Sequence, residues 1–258
     1  MSELVGYKSI LVALVLTGLF VAEHYLPAVN VPNTGMLRGR IVKNLSLWII
    51  NSLASPVIIL PITFYAVHYG VSYGIGWRSD HQENWVFILF DLLILDLWIY
   101  WWHRANHRIA FLWRFHRVHH LDQWLDVTSS VRFHFGELVL SALVRAVVIS
   151  CLGIPIISVI IFEALVLVNT GFHHSNVKIP KRIEEVLSRV IVTPSIHWVH
   201  HHVVQSDTDS NYGALFSFWD RLFGSRSKSQ RTSDMEIGLK GCADMRFLEL
   251  VTSPFRRG

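Results

Sequence analysis

The chain has 258 residues, of which 52% are hydrophobic and 16% charged, and its formal net charge is +4. Apolar residues gathered in long runs exclude an ordinary soluble domain and favour an integral membrane protein. The small positive charge suits an anionic membrane surface but is too dispersed to indicate a nucleic-acid partner, and two cysteines imply no disulfide framework.

Four apolar segments are long enough to cross or enter a bilayer: residues 9–27, 46–69, about 85–102 and 137–170. We interpret the first as a retained membrane helix and not as a cleaved signal peptide, because further spans follow and no good cleavage site is evident. Pro56 and Pro61 predict a kink in the second segment. Gly153 and Pro155 divide the last segment, which predicts a helical hairpin that either crosses the membrane twice or re-enters it.

Histidines follow the ends of these segments at helical spacings. His103 and His107 stand four residues apart, and two later triplets repeat an i, i+3, i+4 arrangement. The triplets are His116, His119 and His120, then His197, His200 and His201, with His173 and His174 between them. Each set therefore projects from one side of its own helix.

This pattern predicts metal binding. Imidazole is the commonest protein ligand for mid-series metals, and this many histidines exceed the need of one ion. A structural zinc site takes four ligands and prefers to include cysteine, whereas the chain offers only Cys151 and Cys242. Isolated surface or core histidines are the alternative interpretation, but such residues do not recur in matched helical triplets.

The histidine motifs read HRANH, HRVHH, FHHSN and HWVHH in that order, and in them the chain resembles the membrane fatty acid hydroxylase and sterol desaturase superfamily. The resemblance runs from about Asp96 to Gly224 and includes the flanks YWWHR, D-x-T-x-x-x-R-x-H-x-x-E (Asp126 to Glu137) and NYG…FWDRLFG. Phe135 and Trp198 stand where members commonly have proline and arginine. Neither is a ligand position, so these departures concern the subfamily more than the chemistry.

The resemblance implies a di-iron centre with histidine ligands. Carried over residue by residue, the candidate ligands are His103, His107, His116, His119, His120, His134, His173, His174, His197, His200 and His201. His202 points about 100° further round the last helix and is expected to lie outside the ligand set.

Four polar residues are expected to orient these ligands. Asp96 lies two helical turns before His103 and shares its face, so it is expected either to accept a hydrogen bond from a ligand imidazole or to pair with an arginine. Asp126, Arg132 and Asp220 are the other candidate orienting residues, with Asp126 and Arg132 lying between the two triplets.

The resemblance also implies an O2-dependent enzyme that hydroxylates a C–H bond of a membrane lipid with two iron ions. A desaturase, which begins with the same C–H abstraction, is the alternative enzyme. A metal-binding or metal-transporting membrane protein is the alternative outside enzymes, but a transporter is expected to hold its ligands within broken spans. No haem domain or dinucleotide fingerprint is evident, so a separate cytochrome b5-like or ferredoxin-like protein with its reductase is the expected electron donor.

We therefore predict an all-α fold: a polytopic membrane protein with about four transmembrane helices and a histidine-rich helical cap. One domain is expected, with anchor helices over 1–84, the catalytic region over 85–224 and a tail over 225–258. Basic residues in a predicted linker, 28–44, place the cap on the cytoplasmic face by the positive-inside rule. The lipid substrate and the oligomeric state stay open.

Overall fold

The computed structural model describes residues 2–31, 34–74 and 84–256, and no β-strand occurs in these ranges. Its helices are α1 (Ser2–Tyr25), α2 (Thr34–Ala54), α3 (Ile59–Ser72), α4 (Trp85–Arg108), α5 (Ala110–His120), α6 (Phe135–Leu152), α7 (Ile156–His174), α8 (Lys181–Leu187), α9 (Pro194–His200), α10 (Gln205–Thr208), α11 (Phe218–Leu222) and α12 (Phe247–Thr252). Short 3-10 helices cover Val127–Val131 and Ser253–Phe255.

Four helices are long and apolar enough to cross a membrane, namely α1 over Gly6–Tyr25, α4, α6 and α7. The pair α2 and α3, bent by 46°, supplies up to one further crossing. Apolar side chains on α1 such as Ile10, Leu11 and Leu14 are more than half exposed, as expected of a helix surface that faces acyl chains. The predicted all-α membrane fold with about four spans is confirmed.

The prediction for the second span is correct about a kink and wrong about where the helix begins. The bend falls at the break between α2 and α3, which contains Pro56, because proline cannot continue the helical hydrogen-bond ladder. Helix α2 already begins at Thr34, so much of the predicted linker 28–44 is helical. Within the predicted linker, Pro32 and Asn33 lie outside the described residues.

Of the basic side chains in that predicted linker, Arg40 is buried and Lys43 is half-buried, both in ion pairs, whereas Arg38 is exposed. Arg40 pairs with Asp122 at 2.7 Å and also with Asp126, while Lys43 pairs with Asp244. Burial alone would raise the pKa of Asp122, but the guanidinium of Arg40 is the first of several groups that outweigh it, and the pKa lies below its usual range. These charges therefore hold α2 to the cap and do not form an exposed membrane-surface loop.

Helix α1 is built into the fold at both of its ends. Near the cap, the Glu23 carboxylate accepts the backbone N–H of Val127 at 3.2 Å and that of Asn176 at 3.0 Å. Near the opposite end, Lys8 pairs with Glu163 of α7 at 2.6 Å. Helices α1 and α7 therefore run in the same direction, towards the cap.

Helices α6 and α7 form the predicted hairpin. Each is long and apolar enough to cross a membrane alone, which favours two crossings over a re-entrant pair. Gly153 ends α6 with φ 66°, a left-handed conformation that glycine adopts at little cost. On the outside of the hairpin, a Cβ at Gly70 of α3 would lie 2.8 Å from the carbonyl oxygen of Ser150, so glycine permits this close approach.

Candidate metal centre

The cap ends of two membrane helices and two short cap helices bring the histidines together. Helix α4 carries His103 and His107 in its last turns, α7 ends on His173 and His174, α5 carries His116, His119 and His120, and α9 carries His197 and His200 and is followed by His201. Because α5 follows α4 after a single residue, the first two motifs are adjacent in space.

Nine imidazoles form two groups, and within each group the candidate ligand nitrogens lie within 4.8 Å of one another. The first histidine group is His103, His107, His116, His120 and His200, and the second histidine group is His119, His174, His197 and His201. The groups adjoin, since the rings of His120 and His201 are stacked with centroids 4.3 Å apart.

Each triplet contributes to both groups. In the first triplet the i and i+4 residues join the first group, and the i+3 residue, His119, joins the second. The second triplet reverses this arrangement, because its i+3 residue, His200, joins the first group and its other two members join the second. The spacing predicts that each triplet shares one narrow helix face, and in the structure that face spans the boundary between the groups.

Five imidazoles are oriented by fixed oxygen atoms. From Nδ1, His103 donates to the carbonyl of Tyr212 (2.8 Å), His116 to Glu137 Oε1 (2.8 Å), His119 to the carbonyl of Arg132 (3.2 Å), His174 to the carbonyl of Thr170 (2.7 Å) and His200 to the carbonyl of Ser210 (2.6 Å). Because a carbonyl oxygen only accepts, the proton of a neutral imidazole lies on Nδ1 and leaves a lone pair on Nε2.

These Nε2 lone pairs converge on one another. In the first group, the Nε2 atoms of all five histidines are buried and have no hydrogen-bond partner among the described residues. In the second group, Nε2 of His174 lies 3.1 Å from Nε2 of His119. Both atoms are acceptors, so they repel unless a cation binds the two lone pairs. The donor sets therefore fit one metal ion in each group.

The cap histidines are held in the neutral form. Burial lowers the pKa of His119, His120, His197 and His201 well below the ordinary value, and that of His200 to about 3. Neighbouring imidazoles lower the pKa further, since protons on adjacent rings repel. These side chains are neutral at pH 7, which is the form that binds a metal ion.

Two of the predicted ligands, His134 and His173, lie outside both groups. Both ring nitrogens of His134 are occupied, because Nδ1 accepts the backbone N–H of Gly136 at 2.9 Å and Nε2 donates to the carbonyl of Val251 at 3.0 Å. His134 is the N-cap of α6. The ring of His173 lies beside that of His197, with centroids 3.9 Å apart, at the edge of the second group.

Asp96 contacts neither of its two predicted kinds of partner among the described residues. Its carboxylate accepts the backbone N–H groups of Leu215 (3.1 Å) and Phe216 (3.0 Å) and the indole N–H of Trp219 (2.8 Å). The buried carboxylate therefore fixes the segment before α11 against α4. It acts on the position of that segment, not on an imidazole.

Of the other three candidate orienting residues, Arg132 contacts His119 directly through its backbone carbonyl, whereas Asp126 and Asp220 act on backbone segments near the histidines. Asp126 caps the 3-10 helix that begins at Val127. Arg132 orients His119 through its backbone carbonyl, while its Nε donates to the carbonyl of Val118 at 2.8 Å.

Asp220 accepts the backbone N–H of Tyr212 at 2.8 Å and so fixes the carbonyl that receives the His103 proton. Glu137, which accepts from His116, ends the D-x-T-x-x-x-R-x-H-x-x-E flank but was not among the predicted site residues. A further signal in the sequence is that it is the single acidic residue in the apolar helix α6.

An apolar cavity of about 340 Å³ reaches the histidines from between the membrane helices. Its walls include Ile99 of α4 and Phe162 and Val166 of α7, and His116 and His174 lie at its cap end. This volume is at the lower end of the range for small-ligand pockets, about 300–1,000 Å³. An alkyl chain can therefore approach both histidine groups from the membrane side.

The fold and the site define a polytopic membrane protein with two adjoining all-histidine groups, each able to hold a metal ion, at the ends of its spans. The family model for fatty acid hydroxylase matches residues 88–225, more than half of the chain, and the chain belongs to this family. The matched region contains both histidine groups and the segment fixed by Asp96.

Three relatives are lipid oxidoreductases by name. The chain is 29% identical to ornithine lipid hydroxylase OlsE of Rhizobium tropici over 66% of this chain and 50% of that protein. It is 28% identical to alkylglycerol monooxygenase of Danio rerio over 50% of this chain and 28% of that protein. It is also 28% identical to lathosterol oxidase of Mus musculus over 57% of this chain and 48% of that protein. The matches thus cover at most half of these relatives, and no solved structure matches the chain.

Proposed function

We propose that this protein is a membrane di-iron oxygenase that uses O2 to hydroxylate a C–H bond of a lipid. The observation that carries the proposal is the convergence of two groups of buried imidazoles, whose ring nitrogens face one another, on the end of an apolar cavity. Family membership and relatives named as a lipid hydroxylase, a monooxygenase and a sterol oxidase support lipid oxidation.

The nine grouped histidines would hold the two iron ions, five at the first group and four at the second. When bound, iron supplies the oxidising chemistry towards an unactivated C–H bond that acid and base side chains lack. The chain's own contribution is positional. Fixed carbonyls keep Nε2 unprotonated in His103, His119, His174 and His200. Glu137 holds His116, and the apolar cavity walls exclude water and present the alkyl chain.

Two alternatives differ in what they require of the site. A desaturase would use the same metal groups and cavity and would differ only in its product. A metal transporter would require a polar path for ions across the membrane. The surface of the cavity that meets the histidines is instead mostly apolar, with Ile99, Phe162 and Val166 in its walls, which suits a lipid.

The proposal includes a separate electron donor, either cytochrome b5-like or ferredoxin-like with its reductase.

The proposal also places the cap at the cytoplasmic face. Lys and Arg are frequent in residues 175–258, whereas the hairpin tip, 150–156, contains none. By the positive-inside rule, this asymmetry supports a cytoplasmic cap. The argument does not depend on Arg40 and Lys43, which are engaged in ion pairs.

The test of function is a comparison of lipids from cells with and without the gene by mass spectrometry. We expect a lipid that is heavier by one oxygen atom only in cells with the wild-type gene, and its loss in the His120→Ala variant, whose ligand is missing from the first group. A product lighter by two hydrogen atoms would identify a desaturase. Identical lipid profiles under aerobic growth would contradict the oxygenase proposal.

The two native cysteines test the sidedness, because both are exposed and lie at opposite ends of the fold: Cys151 in the last turn of α6 and Cys242 in the cap. In Cys151→Ser protein, a membrane-impermeant maleimide should label Cys242 from the cytoplasmic side of sealed vesicles only. In Cys242→Ser protein, any labelling of Cys151 should occur from the opposite side. The variant lacking both cysteines is the control, and labelling of Cys242 from outside would contradict the proposed orientation.

A further inference from the structure

The cavity extends away from the histidines along facing sides of α6 and α7. On α6 it is lined at helical spacing from Glu137 to Arg145, and on α7 from His174 back to Phe162 and Glu163. Eight residues of α6 and eleven of α7 correspond to about 12 Å and about 16 Å of helix. Arg145 and Glu163 therefore form the end of the cavity opposite the metal groups, near the middle of a bilayer about 30 Å thick.

An ion cluster closes this deep end. Glu163 pairs through Oε1 with Arg145 at 3.1 Å and through Oε2 with Lys8 of α1 at 2.6 Å. Among the described residues, Glu163 provides the only carboxylate that pairs with either cation. The cluster thus has two positive charges and one negative charge. The positive charge of Lys8 alone would neutralise the negative charge of Glu163. An ion pair that only joins α1 to α7 therefore does not require Arg145.

The guanidinium of Arg145 has an N–H donor that is not used within the ion cluster. Its Nε is buried and has no hydrogen-bond partner among the described residues, and its side chain is only 13% exposed. An uncompensated charge at this depth is costly, and intramembrane charges usually pair with a partner or face a functional cavity. Arg145 does line the cavity, so a molecule inside it can supply the missing acceptor.

We propose that Arg145 binds an anionic oxygen group of the lipid substrate at the deep end of the cavity, with Glu163 holding the guanidinium in place. The simplest such group is the carboxylate of an acyl chain. The alkyl part would then extend along the apolar walls towards the histidines, and the metal groups would face a carbon far from the carboxylate. This substrate assignment rests on the proposed function, but binding itself does not.

Binding can be measured on the iron-loaded protein in lipid nanodiscs under anaerobic conditions, where turnover is prevented. Tritiated dodecanoate is the probe, and methyl dodecanoate and dodecane of the same chain length are the competitors. Arg145→Gln should weaken dodecanoate binding about 10- to 100-fold, the range expected for hydrogen bonds to a charged group, and should leave competition by dodecane unchanged. Arg145→Lys should restore part of the affinity because it retains the charge.

The opposite sign is expected for Glu163→Gln, because an amide oxygen can still accept from Arg145 and hold it in place, while the loss of the negative charge leaves both cations to attract the carboxylate. This variant should therefore bind dodecanoate more tightly. A purely structural ion cluster would make both variants lose binding together, so the sign separates the two roles. Equal effects of Arg145→Gln and Glu163→Gln, or no saturable binding to the wild type, would overturn the inference. If Arg145 controls dodecanoate binding but no lipid is oxidised, the proposed function fails and the subsite stands. If a lipid is oxidised with no dependence on Arg145, the proposed function stands and the subsite fails.

Discussion

Replacing His200 or His201 by alanine is expected to abolish activity and to lower bound iron from two ions per chain, with each variant affecting a different histidine group. His200 belongs to the first group, where four imidazoles would remain, and His201 to the second, where three would remain. The larger iron loss is therefore expected for His201→Ala. Iron per chain, measured by inductively coupled plasma mass spectrometry after anaerobic loading, checks this directly.

His202→Ala is the matched control within the same motif. His202 Nδ1 donates to Asp207 Oδ2 at 2.8 Å, and His202 belongs to neither group. Its removal should leave the iron content at two and reduce turnover modestly at most. If His202→Ala lost as much iron as His200→Ala, the grouping of the ligands would be wrong. Wild-type protein that held one zinc ion and no iron would contradict the di-iron proposal as a whole.

Helical periodicity predicted which histidines are neighbours but not how they divide between two ions. Residues three and four positions apart share a helix face, which is why HRVHH and HWVHH could be read as ligand sets from sequence alone. The assignment of His119 and His200 to opposite groups depends on how α5 and α9 meet across the cap. That is a tertiary relation between segments about 80 residues apart, and no local pattern encodes it.

The same limit applies to the residues that orient the ligands. Several acceptors are backbone carbonyls, such as those of Thr170 and Ser210, and a backbone atom leaves no signal in residue identity. Asp96 was expected either to accept a hydrogen bond from an imidazole, because it shares a face with His103, or to pair with an arginine. Its three hydrogen bonds instead come from Leu215 and Phe216, just before α11, and from Trp219 in α11. Side-chain chemistry thus predicted that Asp96 would be bonded but not to which group.

The start of α2 was misplaced for a related reason. A basic stretch before an apolar run is typical of a cytoplasmic loop that precedes a membrane span, and hydropathy alone gives no indication that such charges are buried. In the fold, the carboxylates that compensate Arg40 come from residues 122 and 126, more than 80 positions later in the chain. Arg40 therefore lies in a buried polar cluster together with Asn44 and Arg132, while Arg38 on the same helix stays exposed.

Arg40→Met is expected to be the most destabilising single substitution outside the metal ligands. Arg40 is 3% exposed and pairs with both Asp122 and Asp126, so its removal leaves two carboxylates in the cap without their shared cation. Breaking a buried ion pair by removing one partner costs about 3–5 kcal/mol. For a chain of this size we expect the melting temperature in detergent to fall by on the order of 10 °C. Thermal unfolding followed by circular dichroism measures it.

Arg38→Met supplies the matched control, because Arg38 lies on the same helix but is exposed. The melting temperature of the Arg38→Met protein should stay within a few degrees of wild type. Adding Asp122→Asn to Arg40→Met should recover part of the loss, since the amide no longer leaves an unpaired negative charge beside the Asn44 side chain, which donates to Asp122 at 3.1 Å. If Arg40→Met melted like Arg38→Met, the carboxylates would not depend on this cation. The buried cluster would then not be what holds α2 to the cap.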